Sequence, residues 1–241
     1  FLLKYNEVTI LLDPAMEIGS DFDPYVSEHP KGLRLQKRLP FLARQLGSLD
    51  MVLVSHADED HCGQKSIREL IFNTQMFVGP PETTSIMRGL GVPYSKIRRA
   101  YFGEPIYFGD VIVTPTLAEH HLPYGGACGY YIETPEGTVW HPGDTPVMAA
   151  HYEQQTPDVL LLPIAHHVFG PEKGADLVNR LNIRHVIPTH YGVYEGGGFA
   201  FGDVDELRNH MTDPDRTLYT MELGDMFTLK SGKPASVNKY E

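Results

Sequence analysis

The chain has 241 residues and a formal net charge of −11, which disfavours broad binding to nucleic acid or to anionic membranes. Hydrophobic residues make up 41% of the sequence, so a buried core of ordinary size is expected. No apolar run reaches the roughly 18 residues of a membrane span, and no signal peptide is visible. The two cysteines, Cys62 and Cys128, form no disulfide framework and favour a reducing cytoplasm.

The first forty residues predict a strand pair followed by a long loop. Residues 1–13 read as two strands around a turn at Asn6, and Asp13 begins the break after the second strand. Because the chain opens with Phe1 rather than Met, we expect that a preceding strand is missing. Residues 14–40 show no sustained period, which predicts a loop that covers the substrate. Its candidate substrate contacts are Phe22, Tyr25, His29 and Arg34.

The remaining elements predict an α/β (α+β) chain. The predicted order is rich in strands first, then alternates between strand and helix, and ends with strands again. This order predicts two sheets packed face to face, with helices outside, in a single domain spanning residues 1–241. The predicted helices are 41–46, 66–72, 82–90, 172–181 and 204–210; the predicted strands are 51–54, 76–78, 97–101, 105–108, 111–117, 128–133, 138–141, 159–162, 185–187, 226–229 and one near Leu218, with an antiparallel meander formed by those from 97 to 141.

Four ligand-type residues follow the apolar strand at 51–54, namely His56, Asp58, Asp60 and His61. Unpaired buried charge costs several kcal/mol, and coordination of a cation removes that cost. Imidazole and carboxylate together suit Zn²⁺ and its first-row neighbours. A polar turn that caps the next helix needs only one such residue, so four of them predict a metal site.

Four later strands also lead directly into ligand-type residues. A single histidine after a strand is usually a hydrogen-bonded structural residue, but loops at one end of a sheet converge. We therefore expect the five segments to meet at one site. The later residues are His120, His141 with Asp144, the pair His166 and His167, and His190.

With these motifs in order, the sequence resembles the metallo-β-lactamase-fold hydrolases over nearly the whole chain. It is most similar to the branch of ascorbate-6-phosphate lactonases and related metal-dependent hydrolases. The family's His-x-His-x-Asp-His motif matches residues 56–61, its lone histidine matches His120, its His-x-Gly-Asp turn matches 141–144, and its Ile-Pro-x-His segment matches 187–190. The resemblance implies a four-layer αββα sandwich with a two-metal site at the sheet edges.

The resemblance also implies the ligands of that site. His56, Asp58 and His120 are expected to bind one divalent ion. Asp60, His61 and His190 would bind a second, with Asp144 bridging both. Zinc is the expected metal, with manganese or iron as alternatives, and the pair would hold a hydroxide that attacks the substrate. Asp58 stands where the family has histidine; a carboxylate favours Mn²⁺ or Fe²⁺ or weakens that position.

Several assignments stay open at the level of sequence. His121 competes with His120, because neighbouring side chains of an extended segment point in opposite directions. His166 and His167 are interpreted either as catalytic residues, donating a proton or contacting the oxyanion, or as part of a polar structural loop. The remaining candidates are His141 as a residue that orients a ligand, Cys62 as a packed thiol or an outer ligand, and Tyr191 and Tyr194, next to Gly196–Gly198, as pocket-lining residues.

The expected activity is hydrolysis of a small ester, lactone or phosphoester metabolite. Alternatives are a nuclease or phosphodiesterase, and a metal-binding protein without hydrolytic activity, including a di-iron redox protein. We expect a small-molecule substrate, no nucleic-acid or membrane partner, and sheet edges that allow homo-oligomers. Two basic groups could hold a phosphate or carboxylate if they face the site. These groups are Arg34, Lys37 and Arg38, and Lys96, Arg98 and Arg99.

Overall fold

The computed structural model describes residues 1–16, 33–36, 39–120, 126–196 and 200–239, with the backbone alone at 33–35 and 194–196. Most of the predicted covering loop is outside these residues. Candidates that lie outside the described residues, wholly or through their side chains, are Phe22, Tyr25, His29, Arg34, Lys37, Arg38, His121, Tyr194, Gly197 and Gly198.

The described part of the chain contains four α-helices distributed among the strands. The strands are β1 Leu2–Tyr5, β2 Val8–Leu12, β3 Leu33–Leu35, β4 Leu49–Leu53, β5 Thr74–Gly79, β6 Ile97–Arg99, β7 Ile106–Phe108, β8 Val111–Leu117, β9 Cys128–Thr134, β10 Gly137–His141, β11 Val159–Pro163, β12 His185–Thr189, β13 Tyr194–Gly196, β14 Thr217–Leu218, β15 Met226–Lys230 and β16 Lys233–Asn238. The helices are α1 Gln64–Leu70, α2 Pro81–Gly89, α3 Pro171–Arg180 and α4 Val204–His210, with 3-10 helices at Ala43–Gln45, Tyr94–Lys96 and Ala149–Glu153.

Two mixed sheets form the centre of the fold. The first sheet has the order β1-β2-β4-β5-β6, and the second has the order β14-β12-β11-β10-β9-β8-β7. Strands β2, β4, β5 and β6 run parallel, as do β10, β11, β12 and β14, while β7 to β10 run antiparallel. Two further antiparallel pairs, β3 with β13 and β15 with β16, lie outside these sheets.

Side-chain alternation along the central strands produces the layers. In β2, Ile10 and Leu12 pack between the sheets, whereas Leu11 packs on the helical side of the first sheet. In β11, Leu161 faces the inter-sheet core and Leu160 faces the helical side of the second sheet. Helices α1 and α2 cover the first sheet and α3 and α4 cover the second. Strands buried on both faces read as continuous apolar runs, and the predicted αββα layering is confirmed.

Two predictions were wrong: one strand was assigned to the wrong sheet, and one α-helix is a 3-10 turn. The strand predicted at 97–101 was assigned to the antiparallel meander, but β6 pairs in parallel with β5 in the first sheet. The connection through α2 and a 3-10 helix is long enough for a parallel crossover, which the turn signals around it obscured. The helix predicted at 41–46 is one 3-10 turn, Ala43–Gln45. In the described part of the chain, no helix has the length and apolar character needed to cross a membrane.

Three short strands were not predicted. Strands β3 and β13 pair only with each other, and β16 is largely exposed and polar. Strands β3 and β13 have three residues each, too few to establish a pattern, and β16 lacks the apolar alternation by which a half-buried strand is recognised. Each of the three is identified by its pairing with another strand.

Candidate metal centre

Six strands of the two sheets end at one edge of the sandwich, and each is followed there by a ligand-type residue. The sheets are joined at this edge by a bridge between His56 and Ala127 and by a hydrogen bond of 2.9 Å from the Cys128 N–H to the Ser55 carbonyl. The expected convergence is therefore present. The residues are Asp13 after β2, His56 after β4, His120 after β8, Asp144 after β10, His167 after β11 and His190 after β12.

The second ligand group consists of Asp60, His61 and His190, whose ligand atoms lie within 4.8 Å of one another. The Nε2 atoms of His61 and His190 are 3.0 Å apart. Asp144 Oδ1 lies 3.0 Å from Nε2 of His190 and 3.4 Å from Nε2 of His61. Two imidazole nitrogens and a carboxylate oxygen therefore face a common point.

The first ligand group consists of His56, Asp58 and His120. Asp58 Oδ2 lies 3.5 Å from Nε2 of His120 and 4.0 Å from Nε2 of His56. Ligand atoms of His56, His120 and Asp144 also lie within 4.8 Å of one another. Asp144 thus adjoins both ligand groups, in the place expected for a bridging carboxylate.

Asp13 lies behind the ligand imidazoles and fixes their orientation. The sequence identified it only as the residue at which a strand ends. Its Oδ2 lies 2.7 Å from Nδ1 of His61 and 2.7 Å from Nε2 of His141, and it accepts a hydrogen bond from the Ser55 hydroxyl at 2.8 Å. The Ser55 backbone N–H donates to Oδ1 at 2.7 Å. A buried carboxylate that accepts from a ligand imidazole fixes its orientation and raises its basicity. The signal in the sequence was the single acidic residue at the end of β2.

Ser55 extends this orientation to the first ligand group. Its hydroxyl donates to Asp13 and lies 2.9 Å from Nδ1 of His56. With the hydroxyl proton directed to Asp13, Nδ1–H of His56 donates to Ser55 and the Nε2 lone pair faces the site. One carboxylate therefore acts on His61 directly and on His56 through a hydroxyl.

Burial and charge set the protonation of these groups in the metal-free protein. Burial lowers the pKa of His56 to about 3, with the neighbouring His61 charge acting in the same direction. For His61, burial opposes protonation, but the Asp144 and Asp13 carboxylates outweigh it and raise the pKa to about 10. Burial also works against ionisation of Asp144, yet the His190 and His61 imidazoles hold its pKa well below its usual range. Metal uptake must displace the proton of His61.

Unusual backbone conformations occur at two ligand segments. His190 has φ of 59°, in the left-handed region that non-glycine residues rarely adopt. Gly143, next to Asp144, has φ of 70°, and a Cβ there would lie 3.0 Å from the Cys128 carbonyl oxygen. Strain of this kind persists where the surrounding structure requires it, and it concentrates at functional sites.

The segment before His120 is held by two buried side chains. Thr145 accepts a hydrogen bond of 3.0 Å from the Glu119 N–H through its hydroxyl. Nε2 of His151 lies 2.9 Å from the Leu117 carbonyl oxygen. The Asp144 turn is therefore connected to the strand end that carries His120.

The other predicted residues are distributed as follows. His141 contacts Asp13 rather than the ligand groups. His167 shares a group with Asp144 and His190, whose ligand atoms lie within 4.8 Å of one another. Nε2 of the neighbouring His166 instead lies 3.7 Å from Glu206. Cys62 is buried, and burial raises the pKa of its thiol to about 12.

Of the two basic groups, only the second has described side chains. Lys96 donates to the carbonyl oxygens of Ile71 and Thr74 at 2.7 and 2.8 Å, so it stabilises the fold. Arg98 and Arg99 line a surface pocket on the far edge of the first sheet, away from the ligand groups. Neither arginine faces the site.

The donor atoms fit a first-row divalent cation. Buried Nε2 of His56 has no hydrogen-bond partner among the described residues, and a buried polar atom without a partner costs free energy. The 3.0 Å approach of two imidazole Nε2 atoms brings two lone-pair donors together. Nitrogen and carboxylate oxygen are the ligands that Zn²⁺, Mn²⁺ and Fe²⁺ accept.

A cavity of about 880 Å³ opens at the ligand groups, with His61, His120, His167 and His190 in its wall. Side chains between the sheets, such as Ile132 and Leu161, form much of the rest, and Tyr191 also lines the cavity. The lining extends as far as Leu2 and Thr228, so only part of this volume adjoins the ligand groups.

Comparisons with known proteins agree with this geometry. The sequence pattern of the Beta-lactamase superfamily domain matches residues 9–191. A UPF0173 metal-dependent hydrolase of Pyrobaculum islandicum is 31% identical over 231 residues, covering 93% of this chain and 94% of that protein. The corresponding protein of Pyrobaculum calidifontis is 32% identical over 186 residues, covering 74% of this chain and 80% of its own length.

A solved structure has the same architecture. Igni18, a novel metallo hydrolase from Ignicoccus hospitalis, superposes with a TM-score of 0.69 at 21% identity, covering 100% of this chain and 94% of that one. At this identity the likeness shows the shared fold, and the fold type expected from the sequence motifs is confirmed.

Proposed function

The chain belongs to the β-lactamase superfamily and, within it, to the UPF0173 metal-dependent hydrolases, and from this premise we propose that it hydrolyses a small ester, lactone or phosphoester metabolite with two divalent cations. The observation that carries the proposal is the pair of ligand groups that meet at Asp144. Zinc is the proposed metal, with manganese or iron as alternatives because Asp58 adds a hard oxygen ligand.

Each ligand group has a separate task in this proposal. His56, Asp58 and His120 would hold one cation, Asp60, His61 and His190 would hold the other, and Asp144 would supply a carboxylate to both. Two such cations would lower the pKa of a water between them towards neutrality and stabilise negative charge that develops on the substrate. Asp13 and Ser55 fix the orientation of the His61 and His56 imidazoles that would bind them. Asp60 and Asp144 thereby belong to the catalytic machinery as well as to the ligand set.

The leaving group needs a proton donor or a polar contact. His167 lies beside Asp144 and His190, where a substrate that reaches the cations would contact it. His166 lies near Glu206 and would serve only a substrate that extends towards α4. The proposed contact is therefore His167, with His166 as the more distant of the two predicted catalytic histidines.

A metabolite rather than a nucleic acid is the proposed substrate. The chain is acidic overall, and Arg98 and Arg99 lie away from the ligand groups. Proteins that bind nucleic acid usually present a basic surface beside the site. Within the metabolite class, a lactone related to those of the ascorbate-6-phosphate lactonases is proposed on the motif resemblance, and a cytoplasmic location on the two unpaired cysteines.

The test combines metal analysis with a substrate panel. Protein purified without chelator is analysed for metal content and then assayed on lactones, thioesters and phosphodiesters. Two equivalents of zinc or manganese with lactone or ester turnover support the proposal. Cleavage of nucleic-acid phosphodiesters alone, or tightly bound iron without any hydrolysis, contradicts it. A variant such as Asp144→Asn, which removes the bridging charge, should lose turnover and metal together.

A further inference from the structure

We propose that His167 is an additional ligand of the cation held by the second ligand group, which makes the two metal positions chemically unequal. The inference rests on the two-cation site proposed above. No family motif gives His167 this role, because the motifs imply only Asp60, His61 and His190 as ligands of the second cation. It deepens the proposed function by distinguishing the two positions in their ligand atoms and in their selectivity for zinc.

The placement of the ring supports coordination. Ligand atoms of His167, His190 and Asp144 lie within 4.8 Å of one another. Bond lengths of about 2.1 Å put two nitrogens on one zinc ion within about 4.2 Å of each other. The rings of His167 and His190 have centroids 5.8 Å apart and an interplanar angle of 67°. His167 is exposed, so its side chain has room to close the remaining distance.

The loop after β11 fixes which of the two histidines faces the cations. The Ala165 carbonyl accepts hydrogen bonds of 3.1 Å from both the Val168 and the Gly170 N–H groups. Val168 is buried, which holds this tight turn against the core. Side chains at adjacent positions of the turn diverge, so His166 is directed towards Glu206 and His167 towards Asp144.

The consequence is a difference in donor composition. The first ligand group offers two imidazoles, His56 and His120, and the carboxylate of Asp58. The second would offer three imidazoles, from His61, His167 and His190, with the carboxylate of Asp60. Each group has one carboxylate of its own, so the second group is the richer in imidazole, the ligand that suits zinc. The second position should therefore select zinc over manganese or iron more strongly than the first does.

The first experiment measures metal affinity rather than activity. Metal-free wild type, His167→Ala and His166→Ala are titrated with Zn²⁺, and the two equivalents are resolved by calorimetry against a competing chelator. We expect His167→Ala to weaken one equivalent by more than about 10-fold and His166→Ala to leave both affinities unchanged. Circular dichroism of the metal-free variants checks that each is folded.

A spectroscopic variant tests direct coordination. In His167→Cys loaded with Co²⁺, a thiolate ligand gives a sulfur-to-cobalt charge-transfer band in the near ultraviolet that Co²⁺-loaded wild type lacks. Appearance of the band supports the inference. Its absence, together with unchanged Co²⁺ affinity of both equivalents in folded His167→Ala, overturns it.

The remaining outcomes separate this inference from the proposed function. If wild type binds two cations and His167→Ala binds both equally well but loses turnover, His167 acts on the leaving group and is not a ligand. If wild type binds fewer than two cations, the proposed function fails and the inference fails with it. Separate titrations of wild type with Zn²⁺ and with Mn²⁺ should give a larger ratio of zinc to manganese affinity for the equivalent that His167→Ala weakens than for the other; equal ratios contradict the unequal positions.

Discussion

The two ligand groups differ in how firmly hydrogen bonds hold their imidazoles. In the second group, His61 contacts the buried carboxylate of Asp13 directly at 2.7 Å. In the first, His56 contacts the neutral hydroxyl of Ser55 at 2.9 Å, and Asp58 has a side chain that is 23% exposed. A charged acceptor behind an imidazole holds it more firmly and makes it a stronger donor than a hydroxyl does. We therefore expect the second of the two proposed positions to bind its cation first and more tightly.

Removal of the carboxylate that adjoins both groups should have the largest effect. In Asp144→Asn, the negative charge between the two cations is lost, so we expect metal affinity to fall more than about 100-fold and turnover to disappear. Metal content after gel filtration and steady-state hydrolysis check this. Asp110→Asn, an exposed aspartate in the β7–β8 turn, is the matched control. Full metal content in Asp144→Asn would remove Asp144 from the centre.

Neutralisation of Asp13 should separate the two positions. Asp13→Asn removes the charged acceptor from His61 and from Ser55 at once, but His61 loses the direct contact. We expect about 10- to 100-fold weaker binding at the second position and a smaller loss at the first. Zinc titrations followed by calorimetry measure both equivalents.

The control for Asp13→Asn is another aspartate with structural hydrogen bonds. Asp158 accepts from the Thr138 N–H and hydroxyl at 2.8 and 3.0 Å, far from the ligand groups in the sheet. Asp158→Asn should destabilise the fold without changing metal affinity. An equal loss at both positions in Asp13→Asn would contradict the assignment of His61 as the more strongly oriented ligand.

A smaller effect, confined to the first position, is expected from Ser55→Ala. The change removes the hydroxyl that fixes Nδ1 of His56 while Asp13 keeps its contact with His61. We predict a loss of up to about 10-fold in the weaker metal equivalent and little change in the stronger one. Ser85→Ala on α2, whose hydroxyl donates to the Pro81 carbonyl, controls for loss of a helix hydroxyl. Weakening of the stronger equivalent instead would reverse the order of the two positions.

The smallest effect concerns the segment that carries His120. Burial lowers the pKa of His151, with the hydrogen bond to the Leu117 carbonyl opposing it. Neutral His151 therefore stabilises the folded protein fully above pH 6.5, and this contribution declines as the pH falls below that value. The reason is that His151 takes up a proton more readily in the unfolded chain than in the folded one. His151→Gln can accept from the Met148 N–H and donate to the Leu117 carbonyl, as the neutral imidazole does, without titrating.

Urea unfolding of the metal-free protein at pH 7.5 and pH 5.5 measures this difference. Wild type should lose more of its free energy of unfolding over this interval than His151→Gln, because titration of the other histidines is common to both proteins. Equal losses in the two proteins would show that His151 is not held neutral by the fold.

The sequence predicted the layers and the ligand convergence because both depend on local patterns. Apolar runs such as residues 51–54 and 159–162 marked strands buried on two faces, and polar residues directly after them marked a common edge. The strand at 111–117 and the helix at 204–210 were predicted with the bounds that the structure has. Pairing partners were harder: β6 joined the first sheet rather than the meander, because pairing is decided by crossover length and not by the strand's own residues.

The orienting residues could not be predicted from sequence to the same degree. Asp13 follows a strand, as the ligands do, but its neighbour Pro14 suggested only a chain break. Its role depends on contacts with Ser55, His61 and His141, which are distant in sequence or ambiguous in role. The separation of His166 from His167 depends likewise on one tight turn. Such roles arise from packing between segments, which a linear pattern does not contain.

Anomalous diffraction from crystals of the metal-loaded protein tests the central claim most directly. We expect two anomalous peaks about 3.5–4 Å apart. One should lie among His56, Asp58 and His120 and the other among Asp60, His61 and His190, with Asp144 contacting both. A single peak elsewhere on the surface, or no peak at the edge where these six residues meet, would contradict it.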